Sequence, residues 1–153
     1  MRAKLTIPAP AVLLTHNRER TLHHMERARI VKAWRSAAKV WAQVCKIPKF
    51  QTAEVVVMVE QAKGRLADTQ AHTPVVKAII DGLVDAQILL DDTGEYVTEI
   101  KNLPVTRGKK DQVTIGLVGE KREDLGPITG AEVLEEYRRN RAARIARQQA
   151  SCL

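Results

Sequence analysis

The order of apolar and polar positions divides the chain into strand-like and helix-like stretches. Leu5-Thr6-Ile7 alternates and is closed by Pro8-Ala9-Pro10, which predicts a short first strand entering a loop over 13–22. From Thr21 to Cys45 nothing breaks a helix, and Ile30, Trp34, Ala37, Ala38, Trp41 and Cys45 recur three or four apart. This period predicts one long helix with an apolar stripe, basic flanks at Arg27, Arg29, Lys32, Arg35 and Lys39, and an end before Pro48. Trp34 and Trp41 lie on that stripe and read as core or dimer-interface residues. Glu54 to Glu60 is dense in β-branched residues and too apolar for an exposed edge, so it reads as a central strand ending before Gly64.

Thr73-Pro74 predicts a helix start, with Thr73 as the N-cap and proline at the first helical position. Val76, Ile79, Ile80, Leu83 and Val84 give this second helix one buried face, and it ends near Gln87. Residues 96–101 alternate, and the Arg107-Gly108-Lys109-Lys110 turn leads to a second alternating run over 112–118. Together they predict a β-hairpin with a basic tip. After Gly126-Pro127, Thr129 and Glu132 form a capping box opening a terminal helix that carries Arg138, Arg139, Arg141, Arg144 and Arg147. The predicted order is βαβαββ: an α+β fold with a mixed four-stranded sheet, two packed helices and a basic C-terminal helix. The expected division is a domain over 1–125 and a helical extension over 126–153.

Composition narrows the function classes. Aromatic residues are 3% of the chain, too few for base stacking to dominate nucleic-acid binding. The net charge of +7 favours polyanionic partners, and its distribution is uneven. Residues 1–50 hold eleven Lys/Arg against two acids, whereas 51–125 hold nine against thirteen. A basic first third beside an acidic middle suits a phosphate-gripping surface around a carboxylate cluster. Two cysteines form no disulfide framework or zinc knuckle, and no apolar run reaches the roughly 18 residues of a membrane span. The expectation is a soluble, cytoplasmic protein with no membrane association and no small-molecule cofactor.

Phosphodiester hydrolysis needs a divalent cation held by carboxylates, a water made nucleophilic, and a cation to steady phosphate charge. The segment from Asp68 to Asp92 supplies these types. Asp68 precedes the second helix, Lys77 lies one turn inside it, and Asp91-Asp92 come where the chain leaves it. Adjacent aspartates on extended backbone point to opposite sides, so one of Asp91 and Asp92 reads as a turn carboxylate. Arg18, Arg20, Arg65, Lys101, Arg107, Lys109 and Lys110 are candidate phosphate contacts, which position DNA without reading its sequence. His23 and His24 at the start of the long helix read equally as phosphate contacts or solvated residues, and His72 as metal ligand, proton relay or exposed loop residue.

The run Lys77-Ala78-Ile79-Ile80-Asp81-Gly82-Leu83-Val84-Asp85-Ala86-Gln87-Ile88-Leu89-Leu90-Asp91-Asp92 resembles the K-A-x-x-D-(A/G)-L-x-x-A-x-x-L-x-D-D signature of the RusA-like Holliday junction resolvases. Leu103 to Lys109 is similar to that family's strand and turn before its last strand, and Ile7-Pro8-x-Pro10 with Asn17 and Arg18 matches more loosely. The resemblance spans residues 5 to about 118. It implies a homodimeric, magnesium-dependent endonuclease, with manganese as a substitute, that cuts four-way DNA junctions by paired nicks in phage or bacterial recombination and repair. Carried over residue by residue, Asp92 matches a metal-binding aspartate and Lys77 an active-site lysine. Asp68 to Pro74 keeps the aspartate and proline of the family's D-x-x-N-x-x-P loop but has Ala71 in place of asparagine. The resemblance therefore implies Asp68, Asp91 and Asp92 as metal ligands and Asp68, Lys77 and Asp92 as the catalytic set, with His72 or Gln70 as substitutes in the altered loop.

Overall fold

The structure, a computed structural model, describes residues 1–123 and 130–151. Two compact units are present, Met1–Arg122 and Glu123–Leu153. The first is an α+β unit containing β1 (Arg2–Pro8), α1 (His16–Thr21), α2 (His24–Val44), β2 (Phe50–Gln61), α3 (Thr73–Asp85), β3 (Val97–Asn102), β4 (Thr106–Arg107) and β5 (Gln112–Lys121). The second contains α4 (Gly130–Ser151), on which Tyr137, Ile145 and Arg138, Arg139, Arg141 and Arg147 are exposed. The expected capping residue Thr129 lies outside the described residues.

Five strands form one mixed sheet, not the four predicted, in the order β1-β5-β2-β3 with β4 also pairing β2. β2 is central, as its unbroken apolar run requires. On one face Ala53, Val55, Val57 and Val59 meet Ile115, Leu117 and Val113 of β5 and Leu5 and Ile7 of β1 in a continuous core. Trp34, Ala38 and Ala42 of α2 and Ile79 and Leu83 of α3 belong to the same core. Trp34 is wholly buried, and its indole N–H donates to the Val12 carbonyl at 3.0 Å, whereas Trp41 is 38% exposed.

The hairpin expectation is wrong. β3 runs parallel to β2, and β5 pairs antiparallel with β1 and β2, so the two runs flank β2 on opposite sides. Burial explains the choice. Val113, Ile115 and Leu117 of β5 are all buried and need neighbours on both sides, whereas β3 exposes Thr98 to Lys101 and tolerates an edge. The chain crosses the end of β2 at residues 107–112: Arg107 pairs with Gln61 on one side and Gln112 with Glu60 on the other. Gly108 sits over this crossing, where an added Cβ would lie 2.9 Å from Glu60 Cβ.

Three local readings are corrected. The expected loop over 13–22 contains α1, capped by the Thr15 hydroxyl accepting from the Arg18 N–H at 3.3 Å. The long helix begins at His24, because His23 takes the N-cap position and its Nδ1 accepts from Met25 N–H. The N-cap of α3 is His72, and Thr73 is already helical, its hydroxyl donating to the Gln70 carbonyl at 2.8 Å.

Candidate functional site

The site begins with α3. Its buried face is Val75, Val76, Ala78, Ile79, Ile80, Gly82 and Leu83, which leaves Lys77 and Asp81, one turn apart, on the opposite stripe. Gly82 lets α2 approach closely: an added Cβ would lie 2.8 Å from Ala38 Cβ and collide with the Arg35 carbonyl. The helix ends at the Ala86 cap, and Gln87 takes a positive φ of 60°. The amides of Ile88 and Leu89 both bond back to the Leu83 carbonyl, while the Ile88 and Leu89 side chains are buried. This reversal returns Asp91 and Asp92 beside the exposed stripe of α3.

Lys77 Nζ is hydrogen-bonded to Asp92 Oδ2, fifteen positions away, and to Asp81 Oδ1 at 3.1 Å. Two carboxylates therefore share one ammonium. The Asp92 hydrogen bond raises the lysine above its ordinary value, and the lysine in turn holds Asp92 below the usual carboxylate range. Asp91 Oδ1 accepts from the Asp92 backbone N–H at 2.8 Å, so Asp91 is the turn carboxylate of the pair. Asp68 is exposed, and its carbonyl closes a turn by accepting from Ala71 N–H at 2.9 Å. Among the described residues, no group of three or more His, Cys, Asp or Glu is arranged to hold a metal ion, so Asp68, Asp91 and Asp92 do not gather as a three-carboxylate centre. Asp81 is the partner that sequence reasoning left without a role, although its i,i+4 spacing from Lys77 was available as a signal.

His72 is not an exposed loop residue. It is 4% exposed; its Nδ1 faces the Leu14 carbonyl at 3.4 Å, and its Nε2 is buried with no hydrogen-bond partner among the described residues. Burial pushes its pKa below the ordinary histidine value. A second tie joins the same segments, His16 N–H to the Ala71 carbonyl at 3.0 Å. The loop before α3 is thereby fastened to the stretch that carries α1.

The candidate phosphate contacts differ in their freedom. Arg18 and Arg20 are exposed on α1, Arg65 is exposed in the loop after β2, and Lys109 and Lys110 are exposed at the crossing turn. Lys101 is already engaged, at 3.2 Å from Glu99 and 3.8 Å from Glu54, and Glu99, the nearer acid, raises its pKa. Arg107 donates to the Gly64 carbonyl at 2.5 Å and the Gln61 carbonyl at 3.4 Å, which pins the loop after β2. Among the described residues no helix is long and apolar enough to cross a membrane. No family profile matches the chain, and no characterised protein matches it.

Proposed function

We propose that this chain is a metal-dependent endonuclease of the RusA-like kind, acting as a homodimer that nicks four-way DNA junctions in pairs. The observation that carries the reading is the meeting of Lys77 with Asp92, a lysine and an aspartate from separate parts of the chain joined at one exposed corner. Phosphoryl chemistry asks for this pairing of a cation-binding carboxylate with a fixed positive charge.

The fit to magnesium rests on the donors at this corner. Asp92 already holds a cation, the Lys77 ammonium, and Asp91 lies next to it with one oxygen uncommitted to the Asp92 amide. Magnesium keeps several waters and takes as few as one or two carboxylates beside phosphate oxygens, so it does not need a three-carboxylate cage. Asp92 is the residue that would hold it, with Asp91 adjacent and Asp68 as the further ligand that the resemblance implies; manganese suits the same oxygens. When bound, the metal supplies a water that is nucleophilic at neutral pH. Lys77 steadies charge on the reacting phosphate. Arg18, Arg20, Arg65, Lys109 and Lys110 grip the flanking backbone, which suits recognition of junction shape.

A second reading is favoured by the finding that, among the described residues, no group of three or more His, Cys, Asp or Glu is arranged to hold a metal ion. In it, the chain binds junctions selectively and does not cut them. Incubating a labelled synthetic four-way junction and a matched linear duplex with magnesium or EDTA separates the two. Symmetric, magnesium-dependent nicks in the junction alone support the nuclease; junction-selective binding without nicks supports the second reading; equal binding to both DNAs sinks both.

A further inference from the structure

We infer that the end of the sheet where β1 and β2 finish and β5 begins is a binding surface for the sugar-phosphate backbone of duplex nucleic acid, on which Gln61 presents Lys63 and Arg65. The inference deepens the DNA-gripping part of the proposed function and does not depend on cleavage.

Segments far apart in the chain meet at this end. Pro8 of β1 pairs with Gln112 of β5, which pairs with Glu60 of β2. Asp111 ties the stretches that follow both strands, its carbonyl accepting from Ala9 N–H at 3.0 Å and its Oδ1 from Ala62 N–H at 2.8 Å. The His16–Ala71 bond fastens α1 to the far end of the loop after β2. Arg18 and Arg20 on α1, Lys63 and Arg65 in that loop, and Lys109 and Lys110 in the crossing turn are all exposed, and none has an ion-pair partner among the described residues. The acids of the same segments are Glu19, Glu60, Asp68 and Asp111, of which Glu60 and Asp111 are engaged by Gln112 Nε2 and the Ala62 amide, so the surface is net positive. By contrast, Arg35, Lys77 and Lys101 are each bound to acids.

One side chain shapes the loop after β2. Gln61 Nε2 donates to the Lys63 carbonyl at 2.7 Å and to the Arg65 carbonyl at 2.9 Å, and Gln61 Oε1 accepts from Ala67 N–H at 3.3 Å. Gly64 takes a positive φ of 76° between the two cations. With both carbonyls drawn to Gln61, the Lys63 and Arg65 side chains are left exposed on either side of Gly64. Arg107 adds a second clamp through the Gly64 carbonyl, so it positions this loop. Two like charges held in so short a loop repel each other, and an anionic partner relieves the repulsion.

The chemistry favours a repeating anion. Six exposed cations spread over three segments match successive phosphates along a backbone better than one small anion. No Phe, Trp or Tyr occurs in 9–20, 62–72 or 106–111, so these segments offer no platform for stacking unpaired bases, which points to a duplex and not a single strand.

The test is fluorescence anisotropy of a labelled linear duplex titrated with the full chain in EDTA over a range of salt. The proteins are wild type, Lys63→Ala, Arg65→Ala, Gln61→Met, and the Lys63→Ala/Arg65→Ala pair with and without Gln61→Met, with thermal melts confirming that each is folded. Lys63→Ala and Arg65→Ala are each expected to lower the salt slope by roughly 1. Gln61→Met removes no charge, yet it is expected to weaken binding about threefold or more, and to have no further effect once Lys63 and Arg65 are both alanine. Unchanged slopes in both single alanine variants overturn the surface. An undiminished Gln61→Met loss in the paired background overturns the positioning role, and tighter binding of a matched single strand or of phosphatidylserine vesicles overturns the duplex assignment. The expected slopes with junctions left uncut uphold the inference while the nuclease reading fails; cut junctions with unchanged slopes do the reverse.

Discussion

Arg35 of α2 grips Asp85 at the end of α3 through two parallel hydrogen bonds, Nε to Oδ2 at 2.5 Å and Nη2 to Oδ1 at 2.7 Å. This fork locks together the two helices that cover the sheet, one of which carries Lys77. The side chains are 48% and 33% exposed, so solvent screening limits the pair to about 0.5–1 kcal/mol. Arg35→Ala is expected to lower stability by that amount in urea titration. The Arg35 hydrogen bond holds Asp85 below its ordinary value of 3.8, so the contribution is present above that pH and disappears as pH falls through the depressed folded value. The Arg35→Ala deficit should therefore shrink in strong acid.

At Gly82 the approach of α2 to α3 leaves no room for a side chain. Alanine favours helix by about 1 kcal/mol over glycine, but here its methyl group would drive against the Arg35 carbonyl and Ala38. Overpacking of this kind is worth about 1–3 kcal/mol, so Gly82→Ala is expected to lower the melting temperature. An unchanged or higher melting temperature would mean that the helices part without penalty.

His72 makes stability pH-dependent in a higher range than Asp85 does. Burial lowers its folded pKa below the ordinary 6.5, partly offset by the Leu14 carbonyl and by Asp111. Below pH 6.5 the unfolded chain binds a proton that the folded chain refuses, so the stability fully present above that pH is lost as pH falls toward the folded value. His72→Leu removes both the titration and the unpartnered Nε2. Thermal melts at pH 7 and pH 5 are expected to differ less for this variant than for the wild type, and an equal difference would clear His72 of the effect.

Lys101 and the turn lysines should separate in DNA binding, although the sequence offers all three as candidate phosphate contacts. Lys101 is neutralised between Glu99 and Glu54, whereas Lys109 and Lys110 have no ion-pair partner among the described residues. Anisotropy titrations over a range of salt should show that Lys109→Ala and Lys110→Ala each reduce the salt slope by roughly 1, while Lys101→Ala leaves it nearly unchanged. The reverse order would place the DNA across β3 and not across the crossing turn.

Under the proposed function, Asp92→Asn should abolish junction nicking while leaving junction binding intact or tighter, since a negative charge beside phosphate is removed. Lys77→Met should retain binding but slow nicking by about 10²-fold or more, the usual loss when a fixed charge is removed from a transition state. Gel assays of binding and of single-turnover cleavage check both; retained nicking by Asp92→Asn sinks the assignment.

The legible parts of this protein are those encoded by local period. Spacing of three and four marked the buried stripe of α2 and the buried face of α3, and β-branched density marked β2 as central. The candidate site was legible as residue types and spacing, since Lys77 and the Asp91-Asp92 pair sit where a helix and the turn after it deliver them. Period reports which face of an element is buried and leaves open which element covers it. For that reason the 112–118 run was assigned to a hairpin, while in the structure it lies between β1 and β2, where both sides of an apolar strand are satisfied. The burial of His72 and the neutralisation of Lys101 by Glu54 likewise arise from segments far apart in the chain. By itself the sequence determined the main α+β elements, the basic first third and the residue types of the Asp68–Asp92 segment. Only the tertiary structure decided strand order, buried His72 and brought Asp92 onto Lys77, because contacts between separate segments depend on packing that no local pattern records.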